Sequence, residues 1–127
     1  MNRKLQIKEQ EFEIRFYEGV VKRSPNYVDA LIPLAEAYTR YGLYEKGLEI
    51  DKRLSVLCKN NPIAFYNLAC SFALVGKKRS ALSALKQAIE LGYRDFSHLR
   101  RDPDLKSLRG SAAFEKLIKQ CQKPQGE

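Results

Sequence analysis

The strongest constraint in this sequence is that it matches itself when it is shifted by 34 residues. The shift superimposes large apolar, small and glycine positions together, in the pairs Leu31 with Phe65, Leu34 with Leu68, Ala35 with Ala69, Tyr38 with Phe72, Gly42 with Gly76, Gly47 with Ala81 and Leu48 with Leu82. A fixed period in this range is typical of stacked supersecondary units. A chain of 127 residues is long enough for one domain with a real core. The sequence therefore predicts a single domain built from repeated units.

Each repeated unit has the pattern of a helical hairpin. Apolar residues recur at i, i+3, i+4 and i+7, which is one stripe of a helix, in the two sets Leu31, Leu34, Ala35, Tyr38 and Phe65, Leu68, Ala69, Phe72. Gly42 and Gly76 follow these stripes, where a left-handed residue ends a helix at little cost. Second helices are predicted to begin near Tyr44 and near Lys78. No turn dipeptide separates alternating apolar runs, so we expect an all-α fold.

The same residues resemble a known family. Leu31-x-x-Leu34-Ala35-x-x-Tyr38 and its partner from Phe65 to Phe72 are similar to the first-helix signature of the tetratricopeptide repeat, with the glycines at its usual turn. The resemblance implies a right-handed α-α superhelix of about two full repeats plus flanking helices. It divides the chain into an N-terminal helix resembling a half repeat (1–23), two repeats (28–61 and 62–93) and a C-terminal capping segment (94–127).

The ends of the chain carry their own helix signals. Residues 1 to 23 contain no turn signal, which predicts one long helix from about Arg3 to Lys22. The run from Asp102 to Leu105 predicts a turn around Pro103. Ser111 then caps a last helix that continues to about Gln120.

Composition argues against most enzyme and metal chemistry. The chain has one histidine, His98, and three irregularly spaced cysteines, Cys58, Cys70 and Cys121. No nucleophile elbow, phosphate loop or metal-binding helix motif accompanies them, so we expect no catalysis, no metal and no cofactor. The odd cysteine count argues against a disulfide framework, and no apolar run approaches the length of a membrane helix. No signal peptide is recognisable, so we expect a cytoplasmic protein with no membrane partner.

The family resemblance implies a concave groove lined by the first helices of the repeats. The predicted groove residues, on the side opposite the packing stripes, are Ile32, Glu36, Thr39, Arg40, Ile63, Tyr66, Asn67, Cys70, Ala73 and Leu74. We expect such a surface to bind a peptide or a partner helix of another polypeptide, which makes the protein a non-catalytic adaptor or scaffold. In this hypothesis Tyr66 and Leu74 supply apolar contact, Asn67 bonds a peptide backbone and Arg40 attracts an acidic group. The alternative is that Ile32, Tyr66 and Leu74 pack against the N-terminal helix or the C-terminal tail.

The N-terminal helix carries apolar residues on two sides. A helix of this kind usually has two neighbours, which indicates self-association as an alternative function, namely a structural module that forms a homodimer or larger homo-oligomer. The residues predicted to mediate it are Leu5, Phe12, Ile14, Phe16 and Val21.

The charge is strongly positive and uneven. The chain has a formal net charge of +8, with 11 basic and 9 acidic side chains in residues 1–61 and 12 basic and 6 acidic ones in residues 62–127. A nucleic acid or an acidic protein would be attracted to the second half, yet no nucleic-acid-binding motif or row of aromatic residues accompanies the charges. We therefore expect a solvated basic edge, and nucleic acid is not the predicted partner. The identity of the polypeptide partner does not follow from the residues.

Overall fold

The structure is a computed structural model that describes residues 3–122. The elements, in chain order, are α1 (Arg3–Arg23), α2 (Val28–Arg40), α3 (Tyr44–Leu57), α4 (Pro62–Leu74), α5 (Lys78–Glu90), α6 (Phe96–Arg101), a 3₁₀ helix (Pro103–Leu105) and α7 (Ala112–Gln122). Residues 3–122 contain no β-strand, which confirms the prediction of an all-α protein. The long first helix and the last helix begin and end within two residues of their predicted limits.

The chain folds as two compact units, of which the first ends at Lys59 and the second begins at Asn60. In the first unit α1 packs on α2, and α2 packs on α3. In the second unit α4 packs on α5 and on the 3₁₀ helix, and α5 contacts α7. The two predicted hairpins are therefore α2–α3 and α4–α5, one in each unit.

Glycines with left-handed backbone end the first helix of each hairpin. Gly42 has φ +80° and Gly76 has φ +84°. After α2, the Leu43 N–H donates to the Tyr38 carbonyl (2.7 Å) and the Gly42 N–H donates to the Thr39 carbonyl (3.1 Å). This is the Schellman pattern, which satisfies carbonyls that a helix end otherwise leaves without donors. The repeated glycines of the sequence are thus explained by the way each first helix ends.

The core of the first unit lies where α1 and α3 meet α2. Its buried residues are Val21, Ala30, Leu31, Leu34, Ala35, Tyr38, Ile50 and Leu54, with Ile14, Tyr17, Val20 and Val28 packed against them. The Tyr38 hydroxyl donates to the Glu18 carboxylate, which joins α2 to α1. Burial, followed by this bond to Glu18, raises the pKa of Tyr38. The predicted apolar stripe of α2 is therefore the side on which this unit is assembled.

The second unit buries its C-terminal segment deeply. The largest fully buried side chains here are Leu85, Leu99, Leu105, Leu108, Phe114 and Ile118. Side chains cap the starts of α4 and α7, since Asn61 Oδ1 accepts from the Ile63 N–H (2.9 Å) and Ser111 Oγ accepts from the Phe114 N–H (3.2 Å). Within residues 3–122, none of the helices combines the length and the apolar character that crossing a membrane requires.

Candidate functional site

The predicted groove residues of the first unit lie on the outer side of α2. Ile32 is 42% exposed, Glu36 is exposed and Thr39 is half-buried. Arg40 is engaged within the unit, because its Nη1 donates to Glu13 Oε1 on α1 (2.9 Å). The Tyr41 hydroxyl donates to Glu13 as well (2.5 Å). The two hydrogen bonds hold the pKa of Glu13 below its usual value, and the bond from Tyr41 has the larger effect. Arg40 therefore fixes α1 to α2, which reduces its availability for an acidic ligand.

The predicted groove residues of the second unit divide into a buried and an accessible set. Tyr66, Cys70 and Ala73 are each less than 8% exposed, whereas Ile63 is 51% exposed and Asn67 is exposed. The buried set contacts the unit's own C-terminal segment at Asp102 and Ser107. Packing against this tail was the predicted alternative for Tyr66, whereas Cys70 and Ala73 were predicted only as groove residues. Leu74 is half-buried at the end of α4.

A polar cluster explains how the C-terminal segment is held on α4. We call it the Asp102 cluster, and its members are Tyr66, Cys70, His98, Asp102 and Asp104. The Tyr66 hydroxyl donates to Asp102 Oδ2 (2.6 Å), and the Asp104 N–H donates to Asp102 Oδ1 (3.0 Å). His98 Nε2 lies 3.2 Å from Asp102 Oδ2, so the ring donates to the carboxylate when that nitrogen carries a proton. A buried carboxylate needs such donors, because an unpaired buried charge is very costly.

Neighbouring contacts reinforce this arrangement. The Tyr66 ring stacks on Tyr93 with centroids 4.4 Å apart and planes 6° from parallel. Arg109 Nη1 donates to the backbone carbonyls of Asp102 (2.8 Å) and Arg100 (3.1 Å). The Ser107 hydroxyl donates to the Ala73 carbonyl on α4 (3.3 Å). The segment from α6 to α7 is thus bonded to α4 through side chains and backbone alike.

The titration behaviour of the Asp102 cluster argues against an activated nucleophile. Burial is the main cause that raises the pKa of the Cys70 thiol, and the charges of Asp102 and Asp104 raise it further. Burial and then the bond to Asp102 raise the pKa of Tyr66, so that both groups stay protonated at neutral pH. A reactive cysteine needs the opposite environment, with a cation or a helix N-terminus that favours the thiolate.

The cluster also contains potential metal ligands. Cys70, Asp102 and Asp104 bring a thiol sulfur and two carboxylate oxygens within 4.8 Å of one another. These donors suit a divalent cation in type, yet Asp102 already accepts hydrogen bonds from Tyr66 and from the Asp104 backbone. Burial and then the Asp102 charge raise the pKa of Asp104. The hydrogen bonds to Asp102 and the protonated Cys70 thiol account for the close approach of these three side chains, and we assign no metal to them.

The residues predicted for self-association lie on two sides of α1. Val21 is buried and Ile14 is partly buried, and both pack on the core of the first unit. Leu5, Phe12 and Phe16 are 55%, 72% and 56% exposed. The structure thus separates the predicted set into core residues and an exposed apolar row.

Several basic side chains of the second half have partners inside their own unit. Arg94 Nη1 donates to the Ile89 carbonyl (2.8 Å), and Arg100 Nη1 pairs with Glu115 (3.3 Å). Lys77, Lys78 and Arg79 are exposed at the start of α5. Part of the positive excess therefore stabilises the unit.

A shallow depression of about 310 Å³ lies between α4 and α5. Its lining is Phe65, Leu68, Phe72, Ser80, Ser83, Ala84 and Gln87. Phe65 and Phe72 belong to the packing stripe that the sequence predicted for this helix. In the structure both side chains are half-buried.

The site and the fold together define a helical protein whose second unit is closed by an internal polar cluster. A family model described as the A/B hydrolase-like N-terminal domain matches residues 50–127, which is more than half of the chain and includes the whole second unit. The chain belongs to this family. A chloroplastic protein of Arabidopsis thaliana is 37% identical over 89 residues, which is 65% of this chain. The match covers 26% of the Arabidopsis protein, so this chain spans about a quarter of the length of that relative.

The resemblance to the tetratricopeptide repeat family is therefore wrong. The family model found is that of the A/B hydrolase-like N-terminal domain, and no tetratricopeptide family is indicated. The physical reason is that the quoted motif is not specific. Any hairpin of two short helices needs an apolar stripe at i, i+3, i+4 and i+7 and benefits from a glycine after its first helix.

Sequence reasoning did not find His98, Asp102 and Asp104 as members of one cluster. The sequence identified His98 only as the single histidine of the chain, and the structure places it on α6. The signal that was present is Asp102 before Pro103, since such an aspartate caps a following turn, as its Oδ1 does here. Its bond to Tyr66, which lies 36 residues earlier, has no local pattern in the sequence.

Proposed function

We propose that this chain is a non-catalytic helical domain that binds another polypeptide. The observation that supports this function is the accessible face of α4, where Ile63 is 51% exposed and Asn67 lies one turn away. The same helix packs on α5. It is bonded to the C-terminal segment by its Tyr66 hydroxyl and, near its end, by the Ala73 carbonyl, which accepts from Ser107. A rigid helix with an exposed aliphatic and an exposed amide suits an extended peptide or a partner helix.

Binding would combine apolar contacts with one hydrogen bond. Ile63 and the half-buried Leu74 would contact apolar side chains of the partner, and the Asn67 amide would form a hydrogen bond with the backbone of the partner. Such a small surface buries little area after the ordering costs are met, so we expect modest affinity. In the first unit, considered by itself, Ile32 and Glu36 are exposed on α2, whereas Arg40 is held by Glu13.

The non-catalytic role is supported by the chemistry of the one buried thiol. The raised pKa of Cys70 keeps it protonated, and His98 Nε2 faces Asp102. The right-handed superhelix of hairpins came only from the family resemblance, and it stays a prediction, as does the cytoplasmic location. The Arabidopsis relative is chloroplastic.

The test uses defined peptides. Immobilised protein selects binders from a displayed peptide library, the binders are synthesised with a fluorophore, and their affinities are measured by anisotropy. We expect Ile63→Ser combined with Asn67→Ala to weaken binding at least tenfold, because both contacts are lost. The matched control is Val56→Ser on α3, which removes an aliphatic side chain that is 75% exposed and is expected to change affinity less than twofold.

Two results contradict the proposal. One is the recovery of no peptide with saturable binding to the wild type. The other is undiminished binding by the double variant while circular dichroism shows its helix content unchanged.

A second candidate function is assembly of this chain with itself. The observation that favours it is the exposed apolar row Leu5, Phe12 and Phe16 on α1, which includes a phenylalanine at 72% exposure.

A further inference from the structure

The outer face of α1 carries apolar side chains that the first unit leaves exposed. We define it as Leu5, Phe12 and Phe16, which are 55%, 72% and 56% exposed. At about 100° per residue the three lie within about 40° of one another around the helix, and their centre is about 160° from the buried Val21. The core of the first unit therefore lies on the opposite side of this helix.

The two sides of the outer face differ, because the first unit uses only one of them. On that side Val20 packs on the core, and Glu13 accepts hydrogen bonds from Arg40 and Tyr41. The other side carries three cations spaced by seven, which we call the basic row: Lys8, Arg15 and Lys22. All three are exposed, and none of them forms an ion pair with another residue of 3–122. The helix thus turns a carboxylate towards α2 and leaves its basic row outside.

The charges of the outer face disfavour a second copy of this chain as its occupant. Glu9 lies about 40° from Leu5 around the helix, so a symmetric parallel pair would bring two Glu9 carboxylates together. The basic row would meet only Glu13, which is already bonded to α2. In an antiparallel pair the basic row would meet a second basic row. Flanking charges of this kind select a different partner, because like charges opposite each other reject a copy.

We propose that the outer face of α1 binds an amphipathic helix of another protein, whose apolar stripe is flanked on one edge by acidic side chains at seven-residue spacing. Apolar contact with Phe12 and Phe16 drives the pairing. Ion pairs with the basic row select the partner, since exposed ion pairs add more to specificity than to stability. The inference goes beyond the proposed function, because it uses another helix than α4. It competes with the second candidate function for the same surface.

A designed peptide tests the pairing on the full chain. The acidic probe has about four heptads, with leucine at both apolar positions, glutamate at both flanking positions and a fluorophore, and in the basic probe lysine replaces every glutamate. Anisotropy at about 50 mM salt is expected to show at least tenfold tighter binding of the acidic probe. This advantage is expected to shrink at about 500 mM salt, because salt screens exposed charges. Equal binding of the two probes, or no binding of the acidic probe, overturns the proposal.

Substitutions locate the probe on α1. Phe12→Ser combined with Phe16→Ser is expected to weaken binding of the acidic probe at least tenfold, with the helix content by circular dichroism unchanged. Changing the whole basic row to glutamine, which alters exposed residues only, is expected to remove most of the preference for the acidic probe. The matched control removes three exposed cations from the start of α5 and should keep that preference: Lys77→Gln, Lys78→Gln and Arg79→Gln. If the control loses the preference as fully as the basic-row variant, the net charge of +8 causes the binding and the proposal is wrong.

Two further measurements separate this inference from the functions proposed above. Ile63→Ser combined with Asn67→Ala is expected to bind the acidic probe like the wild type, because α4 takes no part. A tenfold loss in that variant would assign the probe to α4 and overturn the inference, while peptide binding on α4 would stand. Sedimentation velocity of the chain alone, up to about 300 micromolar, is expected to show a monomer. A dimer that disappears when Phe12→Ser and Phe16→Ser are introduced would assign the outer face to a second copy and overturn the inference in favour of the second candidate function.

Discussion

The substitution Tyr66→Phe isolates one hydrogen bond of the Asp102 cluster. It removes the hydroxyl that donates to Asp102 Oδ2 at 2.6 Å and keeps the ring that stacks on Tyr93 at 4.4 Å. Asp102 is 7% exposed, so solvent replaces the lost donor poorly. Loss of a hydrogen bond to a charged group costs about 1.5–3 kcal/mol in the free energy of unfolding. For a domain of this size the melting temperature is expected to fall by roughly 5–12 °C.

Thermal and urea unfolding followed by circular dichroism measure this cost. The matched control is Tyr44→Phe, which removes a hydroxyl from a tyrosine that is 39% exposed and is expected to change stability by less than about 0.5 kcal/mol. A double-mutant cycle with Asp102→Asn is expected to give a coupling free energy of about 1 kcal/mol or more, because the two side chains are in contact. The reasoning is refuted if Tyr66→Phe unfolds like the wild type, or if the cycle shows additive effects.

Two further predictions concern a turn and an ion pair. Gly76→Ala is expected to lower the free energy of unfolding in urea by about 1 kcal/mol through its backbone alone, because φ is +84° and nothing lies within 4 Å of the added methyl group. Gly19→Ala, in the last third of α1, is expected to raise the free energy of unfolding because alanine favours a helix more than glycine does. The lowered pKa of Glu13 means that the folded state favours the carboxylate, so its stabilisation is present above pH 4.5 and is lost as the pH falls through the folded pKa. The stability difference between wild type and Glu13→Gln should therefore shrink on acidification below pH 4.5, and a difference independent of pH would contradict this.

The helices were predictable because their signals are local. The stripe from Leu31 to Tyr38 has the period of a helix, and Gly42 has the backbone freedom that the end of α2 uses at φ +80°. The long α1 followed from the lack of proline and of any turn motif before Ser24. These features depend on neighbours within a turn or two of the chain.

The state of Tyr66 was not predictable in the same way. On α4 it lies beside the packing stripe, where an aromatic side chain suits either a ligand or a covering segment. The choice is made by Asp102, which is 36 residues away, and by Arg109, which holds the backbone at Asp102. Composition and periodicity contain no information on such a pairing, and the family resemblance misled because its motif describes helical hairpins in general.

These contacts separate two roles on α4 that the sequence merged into one groove. Tyr66 bonds to Asp102 and belongs to the interior, while Ile63 is 51% exposed and has little part in stability. If the proposed peptide binding occurs on this helix, Tyr66→Phe should lower the melting temperature and leave the affinity of the folded protein unchanged. Ile63→Ser should lower the affinity and leave the melting temperature nearly unchanged, because it removes a surface contact and leaves the Asp102 cluster intact. A loss of affinity in Tyr66→Phe, measured well below its melting temperature, would place the peptide on the side of α4 that faces the Asp102 cluster and contradict the assignment to Ile63 and Asn67.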